Sequence, residues 1–125
     1  LQAQEQQDKE EEEAYQEAEE AEAEKLLSDV KMLAEAGVCA IVLEKIPASL
    51  TAKAVASVDI PIIGIGAGPA DGQVLVVDDM LGKNKGFSPK FLRRYADIFT
   101  VMTDAIGSYV TDVKSGDFPN TNESY

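Results

Sequence analysis

The chain contains no histidine and one cysteine. The missing imidazole argues against histidine-based acid–base catalysis and against a zinc centre. A lone cysteine forms no internal disulfide, and Cys39 sits in an apolar run, where it reads as a small buried hydrophobe. Basic residues are scarce: 11 Lys and Arg stand against 23 Asp and Glu, for a net charge of −12. Nucleic acid is therefore an unfavourable partner, and the short Lys83-Asn84-Lys85 loop is too small to count as a basic face. No apolar run is long enough to cross a membrane and no secretory leader is visible. The expected setting is cytoplasmic, with an organelle left open because the native N-terminus need not be present.

What is there is unevenly spread. The length of 125 residues suits a single domain. Residues 1–25 hold 11 of the acidic residues and two of the basic ones, so they carry −9 of the net charge. The first twenty residues are Gln, Glu and Ala with few large apolar side chains. Their helix propensity is high, but the glutamates at 10–13 repel one another. They read as a solvated helix or a disordered acidic arm over 1–20, preceding a domain over 21–125.

From Ala21 the pattern changes. Leu26, Leu27, Val30, Leu33 and Ala34 share one helical face, and Gly37 is placed to end that helix. The run Val38-Cys39-Ala40-Ile41-Val42-Leu43 predicts a strand ending at Glu44. Pro47 predicts the first turn of a second helix. Residues 61–65 predict a second strand, running into Gly64-Ile65-Gly66-Ala67-Gly68. The run Val74-Leu75-Val76-Val77 predicts a third strand. Ser88-Pro89 predicts the start of a long amphipathic helix through Phe91, Tyr95, Ile98, Met102, Ile106, Tyr109 and Val113, broken near Gly107 and ending at Gly116. Alternating helices and strands, with strands apolar on both faces, imply a parallel α/β sheet. Three strands are too few to complete one. The link from Gly66 to Gly72 is also shorter than a usual parallel crossover.

Chemistry in such sheets gathers at the carboxyl ends of the strands. Glu44 lies at one. Alternation turns Lys45 to the opposite face, and a carboxylate in apolar surroundings exchanges protons near neutral pH. Two roles are open to it: a proton-transfer group, or a cap for the helix near Pro47. The glycine loop misses the dinucleotide fingerprint, because its third glycine falls one residue early, and no G-K-[ST] follows. Its glycines fit a tight strand exit or a close backbone approach to a ligand. Asp78 and Asp79, read as following a strand, would point to opposite faces and not chelate together. Asp71-Gly72 reads as a turn. Asn122-Glu123-Ser124 matches a glycosylation acceptor by chance alone.

Six motifs in order carry a resemblance. These are Ile41-Val42-Leu43-Glu44 with Ile46-Pro47, Ile63-Gly64-Ile65-Gly66-Ala67-Gly68, Asp71-Gly72-Gln73-Val74-Leu75-Val76, Asp79-Met80-Leu81-Gly82, Pro89-Lys90-Phe91, and Arg94-Tyr95-Ala96. Together they resemble the ketopantoate (3-methyl-2-oxobutanoate) hydroxymethyltransferase family, and Ser115-Gly116-Asp117-Phe118-Pro119 resembles its closing segment. The resemblance covers residues 21–125 and leaves out 1–20. It implies the last three strands of a (β/α)8 TIM barrel. It also implies transfer of a one-carbon unit from 5,10-methylenetetrahydrofolate to 3-methyl-2-oxobutanoate in pantothenate biosynthesis, with Mg2+ holding the keto acid. The family's proton acceptor maps onto Glu44, the catalytic residue this reading selects. Its metal ligands lie in the first half of the barrel, so no residue here is assigned to metal or cofactor. The loop after Gly68 is one residue shorter than usual, Asp78 replaces a family histidine, and the histidine of the tail is absent near Asn122.

A base without a keto-acid site has nothing to act on, and an isolated three-strand piece exposes apolar strand surface and edges. The expectation is a fragment inactive alone, completed by another barrel segment or assembled as a homo-oligomer. Two alternatives stand beside it: a non-catalytic remnant acting as an interaction module through its acidic arm, and another barrel enzyme acting on small 2-oxo acids.

Overall fold

The computed structural model describes residues 2–125 and shows an α/β chain. It divides into two compact units, Leu1–Val74 and Leu75–Tyr125. In the first, α1 (Gln2–Glu35) leads into β1 (Ile41–Glu44), α2 (Ala48–Ser57), β2 (Ile62–Ile65) and β3 (Gly72–Gln73). The second holds a four-residue turn of helix, α3 (Val77–Met80), then α4 (Ile98–Ser115) and a final 3-10 turn, Thr121–Glu123. No described helix is long and apolar enough to cross a membrane.

The end of α1 forms where the sequence places it. Gly37 takes φ +93°, a conformation that a side chain disfavours and glycine accepts. Gly37 N–H donates to the Ala34 carbonyl and Val38 N–H to the Leu33 carbonyl, the paired bonds that close a helix on a C′ glycine. Upstream, α1 runs unbroken through position 20. Its polar residues bridge one turn apart, Gln4 to Asp8 and Gln6 to Glu10.

The three strands are parallel, in the order β1-β2-β3. Ile41 pairs with Ile62 and Glu44 with Ile65. Val30 of α1, Ile41 and Leu43 of β1, Ala54 of α2, Ile62 of β2 and Ala67 form the core, with Leu26, Leu27, Val55 and Val58 packed around it. Alternation does the sorting: Ile41 and Leu43 are buried while Val42 and Glu44 are exposed. The sheet is therefore covered by helices on one face of β1 and bare on the other, not buried on both as the apolar runs suggest.

Four expectations are corrected. Cys39 lies in the connection before β1 and is exposed, because the strand begins only at Ile41. The third strand is Gly72–Gln73 and not 74–77. Val74 N–H still donates to the Gly64 carbonyl, but β2 turns away at Gly66, with φ +64°, so residues 75–77 have no partner strand. The backbone N–H groups of Asp79 and Met80 both turn back to the Val76 carbonyl instead. Asp78 and Asp79 thus occupy the first turn of α3, where negative charge is favoured. The long helix starts at Ile98 and not at Ser88, and it passes through Gly107 without a break.

Asp97 explains the late start. Its Oδ1 accepts the Thr100 N–H and its Oδ2 the Thr100 hydroxyl. At the far end Gly116, at φ +80°, closes α4 as expected. The Thr100 hydrogen bonds, with Lys85 and Arg94 nearby, hold the Asp97 carboxyl below the usual carboxylate range. A carboxyl depressed in the folded state stabilises fully above its unfolded value of about 3.9, and the contribution is lost as pH falls through the lower folded value. Protection of the amides in the first turn of α4, relative to their intrinsic exchange rates at each pH, is accordingly expected to fall on acidification below about pH 4. In Asp97→Asn this pH dependence disappears. An equal acid response in both proteins contradicts the assignment.

Candidate functional site

Glu44 is the last residue of β1, and its neighbour on β2 is Ile65. The next residue, Lys45, is the one non-glycine residue with positive φ among those described, at +52°. Its N–H donates to the Ile65 carbonyl. The ladder thus continues one residue beyond the strand while the chain turns sharply. Left-handed backbone costs an L residue about 1–2 kcal/mol, and such strain collects where a side chain must be held at a fixed exit. Replacing Lys45 with Gly should therefore raise the unfolding free energy by up to about 1 kcal/mol, after allowing for the greater freedom of glycine in the unfolded chain. Urea midpoints decide it. A loss of stability would show that the Lys45 side chain matters more than its backbone.

The apolar surroundings expected around Glu44 are not built by this chain: Glu44 is exposed. Neither is it the cap of α2. Pro47 occupies that position and no side chain bonds to the helix end. The carboxylate enters none of the four ion pairs formed among the described residues. A group with no structural partner, on the bare face that it shares with exposed Val42, is free to meet a ligand.

The glycine loop lies beside it, at the end of β2. Gly66 and Gly68 both have positive φ. A Cβ on Gly68 would lie 2.5 Å from the Cβ of Ala48, the first residue of α2. The glycine thus allows loop and helix to touch directly behind the Glu44 turn. Two side chains that spacing alone did not single out fasten this loop. Gln73 Nε2 donates to the Gly68 carbonyl at 2.9 Å. The Asp71 carboxylate accepts the Ile62 N–H at 2.8 Å, so Asp71 anchors the start of β2; the turn expected at Asp71-Gly72 is not formed there, because Gly72 begins β3. These bonds let so short a link return β3 parallel to β2 without a crossover helix.

Among the described residues no three His, Cys, Asp or Glu side chains converge on a point. Asp78 faces Lys83 at 3.8 Å. An open groove of about 530 Å3 between α1 and α2 is lined by Leu26, Lys45, Pro47, Leu50 and Lys53 among others, but not by Glu44. The bare sheet face, rather than this groove, is the candidate site.

Comparison with known proteins identifies the family of the chain. The model of the ketopantoate hydroxymethyltransferase family matches residues 2–121, so the match enters the acidic segment that the motifs leave out. The chain is 66% identical over 107 residues to the 3-methyl-2-oxobutanoate hydroxymethyltransferase of Phocaeicola vulgatus, a span covering 85% of this chain and 39% of the relative. It is 64% identical over 106 residues to the protein of that name from Bacteroides thetaiotaomicron, covering 84% and 39%. For the one from Flavobacterium johnsoniae the identity is 60% over 108 residues, covering 86% and 40%. The chain thus spans about two fifths of the length of the curated relatives it matches.

Proposed function

Because the chain belongs to the ketopantoate hydroxymethyltransferase family, we propose that it is the C-terminal part of a (β/α)8 barrel that transfers a hydroxymethyl group from 5,10-methylenetetrahydrofolate to 3-methyl-2-oxobutanoate. Glu44 is the proton acceptor. The observation that carries this reading is the Glu44 carboxylate itself, exposed on the bare face at the carboxyl end of a parallel strand, with no cap or ion pair to occupy it. Barrel chemistry sits at that end of the strands.

The chemistry asked of Glu44 is limited. The hydrogen on C3 of a 2-oxo acid is acidified by the adjacent carbonyl. A carboxylate oxygen takes the proton, and the electron pair left at C3 forms the new carbon–carbon bond to the one-carbon unit, whose two bonds to the folate nitrogens break; those nitrogens leave protonated as tetrahydrofolate, one proton coming from C3 and one from water. Water supplies the hydroxyl oxygen of the product. The residues that bind and polarise the keto acid, and any Mg2+ with them, belong to the strands outside this chain. No step through the metal is assigned to the residues described.

Three things follow from the same reading. The bare face around Val42 and Glu44 is completed by the remaining barrel strands, supplied by a longer chain or by a separate segment. The assembled protein is a cytoplasmic homo-oligomer. Residues 1–20 form an acidic arm outside the barrel.

The test is exchange at C3. The chain is combined with the upstream barrel segment in D2O with 3-methyl-2-oxobutanoate and Mg2+, and loss of the C3 proton is followed by NMR. Exchange that requires both pieces and vanishes in Glu44→Gln supports the reading. A well-formed complex in which wild type and variant exchange alike overturns it.

A further inference from the structure

The acidic chain carries one compact exception to its charge. Residues 83–94 contain Lys83, Lys85, Lys90, Arg93 and Arg94 and no acidic residue. All five cations are exposed. The segment is a closed loop. At its neck, Tyr95 N–H donates to the Met80 carbonyl, Ile98 N–H to that of Leu81 and Phe99 N–H to that of Gly82. Gly82 approaches the Ala96 carbonyl so closely that a Cβ would collide with it. Inside, the Arg94 guanidinium donates to the Asn84 and Phe87 carbonyls and the Ser88 hydroxyl. Lys85 donates to the Thr100 hydroxyl and lies over the Phe99 ring. The loop is thus held open as a fixed surface. Lys90 and Arg93 enter none of the ion pairs among the described residues, and Lys83 and Lys85 reach carboxylates only at 3.8 Å.

The matching surface is on the same chain. Residues 5–24 of α1 carry eleven carboxylates against Lys9 alone, and Lys9 meets Glu13 only at 4.0 Å. So many like charges one turn apart destabilise a helix, and nearby cations relieve that repulsion. We propose that the loop 83–94 docks the acidic stretch of α1 from a second copy of this chain. The occupant is argued from charge complementarity: a +5 loop occurs in one sequence with an acidic helix whose residues 5–17 form a single ion pair, Lys9 with Glu13 at 4.0 Å, while Glu19, Glu20 and Glu22 share a groove with Lys45 and Lys53. The net charge of −12 makes nucleic acid an unfavourable occupant.

Exposed pairs contribute little singly and are screened by salt, so the association should be weak and salt-dependent. Sedimentation of the full chain at low and high ionic strength, across a range of protein concentrations, is the experiment. A triple variant, Lys83→Glu, Lys90→Glu and Arg93→Glu, spares Arg94 and Lys85, which hold the loop. A second variant carries Glu10, Glu11, Glu12 and Glu13→Lys. The expected results are concentration-dependent association at low salt, weakened about tenfold or more in either variant, and recovery when the two variants are mixed. A chain that stays monomeric at low salt overturns the proposal. So does association indifferent to salt and to both variants, or failure of the mixture to recover while each variant keeps its circular dichroism.

Discussion

Replacing Glu44 with Gln is expected to lower one-carbon transfer by the complete protein by about 10²–10⁴-fold, the usual contribution of a positioned base. Stability should change by less than about 0.5 kcal/mol. The two halves of the result come from one observation. Glu44 is exposed and neither caps α2 nor enters an ion pair, so its removal leaves no buried group unsatisfied. Gln keeps the size and the strand position but cannot take a proton. C3 exchange should fall with transfer, because the lost step comes before carbon–carbon bond formation. A large loss of stability with little loss of exchange would make Glu44 a structural residue, and the proton acceptor would have to be sought in the upstream strands.

Gly68→Ala should be the most damaging small change in the first unit. The residue has φ +71°, and its new methyl would lie 2.5 Å from the Ala48 Cβ. Left-handed backbone contributes about 1–2 kcal/mol of the loss and overpacking about 1–3. A total of roughly 2–5 kcal/mol is large against the stability of a small domain, about 5–15 kcal/mol. The double variant Gly68→Ala with Ala48→Gly relieves the contact and leaves the backbone cost, so it should recover about half of the loss. Gly64→Ala is a useful contrast. Its Cβ would meet the Gln73 amide at 3.2 Å and the Gly68 carbonyl at 3.3 Å, and the flexible amide can yield. Equal unfolding midpoints for the Gly64 and Gly68 variants would rule out the close packing of loop on helix.

How far the sequence could be read follows from which forces are local. Gly37 and Gly116 end their helices as expected, because a C′ glycine acts through its own backbone freedom. Glu44 stands out in the sequence as a candidate because a carboxylate closing an apolar run breaks the pattern of a buried strand. The third strand was misplaced because Val74-Leu75-Val76-Val77 has strand composition, whereas pairing depends on where β2 ends, and that is set at Gly66. The start of α4 was misplaced for a similar reason. Ser88-Pro89 is a sound local signal, but Arg94 gathers the Asn84 and Phe87 carbonyls into a loop and leaves Asp97 as the cap. The left-handed turn at Lys45 and the Asp71 anchor on Ile62 left no mark in the spacing at all. Both arise from the register between distant segments.

The exposed face of β1 also explains why the expected burial failed there. Val42 is 60% exposed, because it lies on the face of β1 opposite the one that Ile41 and Leu43 turn to the helices.

The most direct test is a one-carbon transfer assay with 3-methyl-2-oxobutanoate, 5,10-methylenetetrahydrofolate and Mg2+. It is run on this chain alone, on its Glu44→Gln variant, and on each with the upstream barrel segment added. The account predicts no transfer by either chain alone, and transfer on addition of the segment to the wild type only. Transfer by the isolated chain above its Glu44→Gln control would contradict it, because a complete substrate site would then lie within these 125 residues.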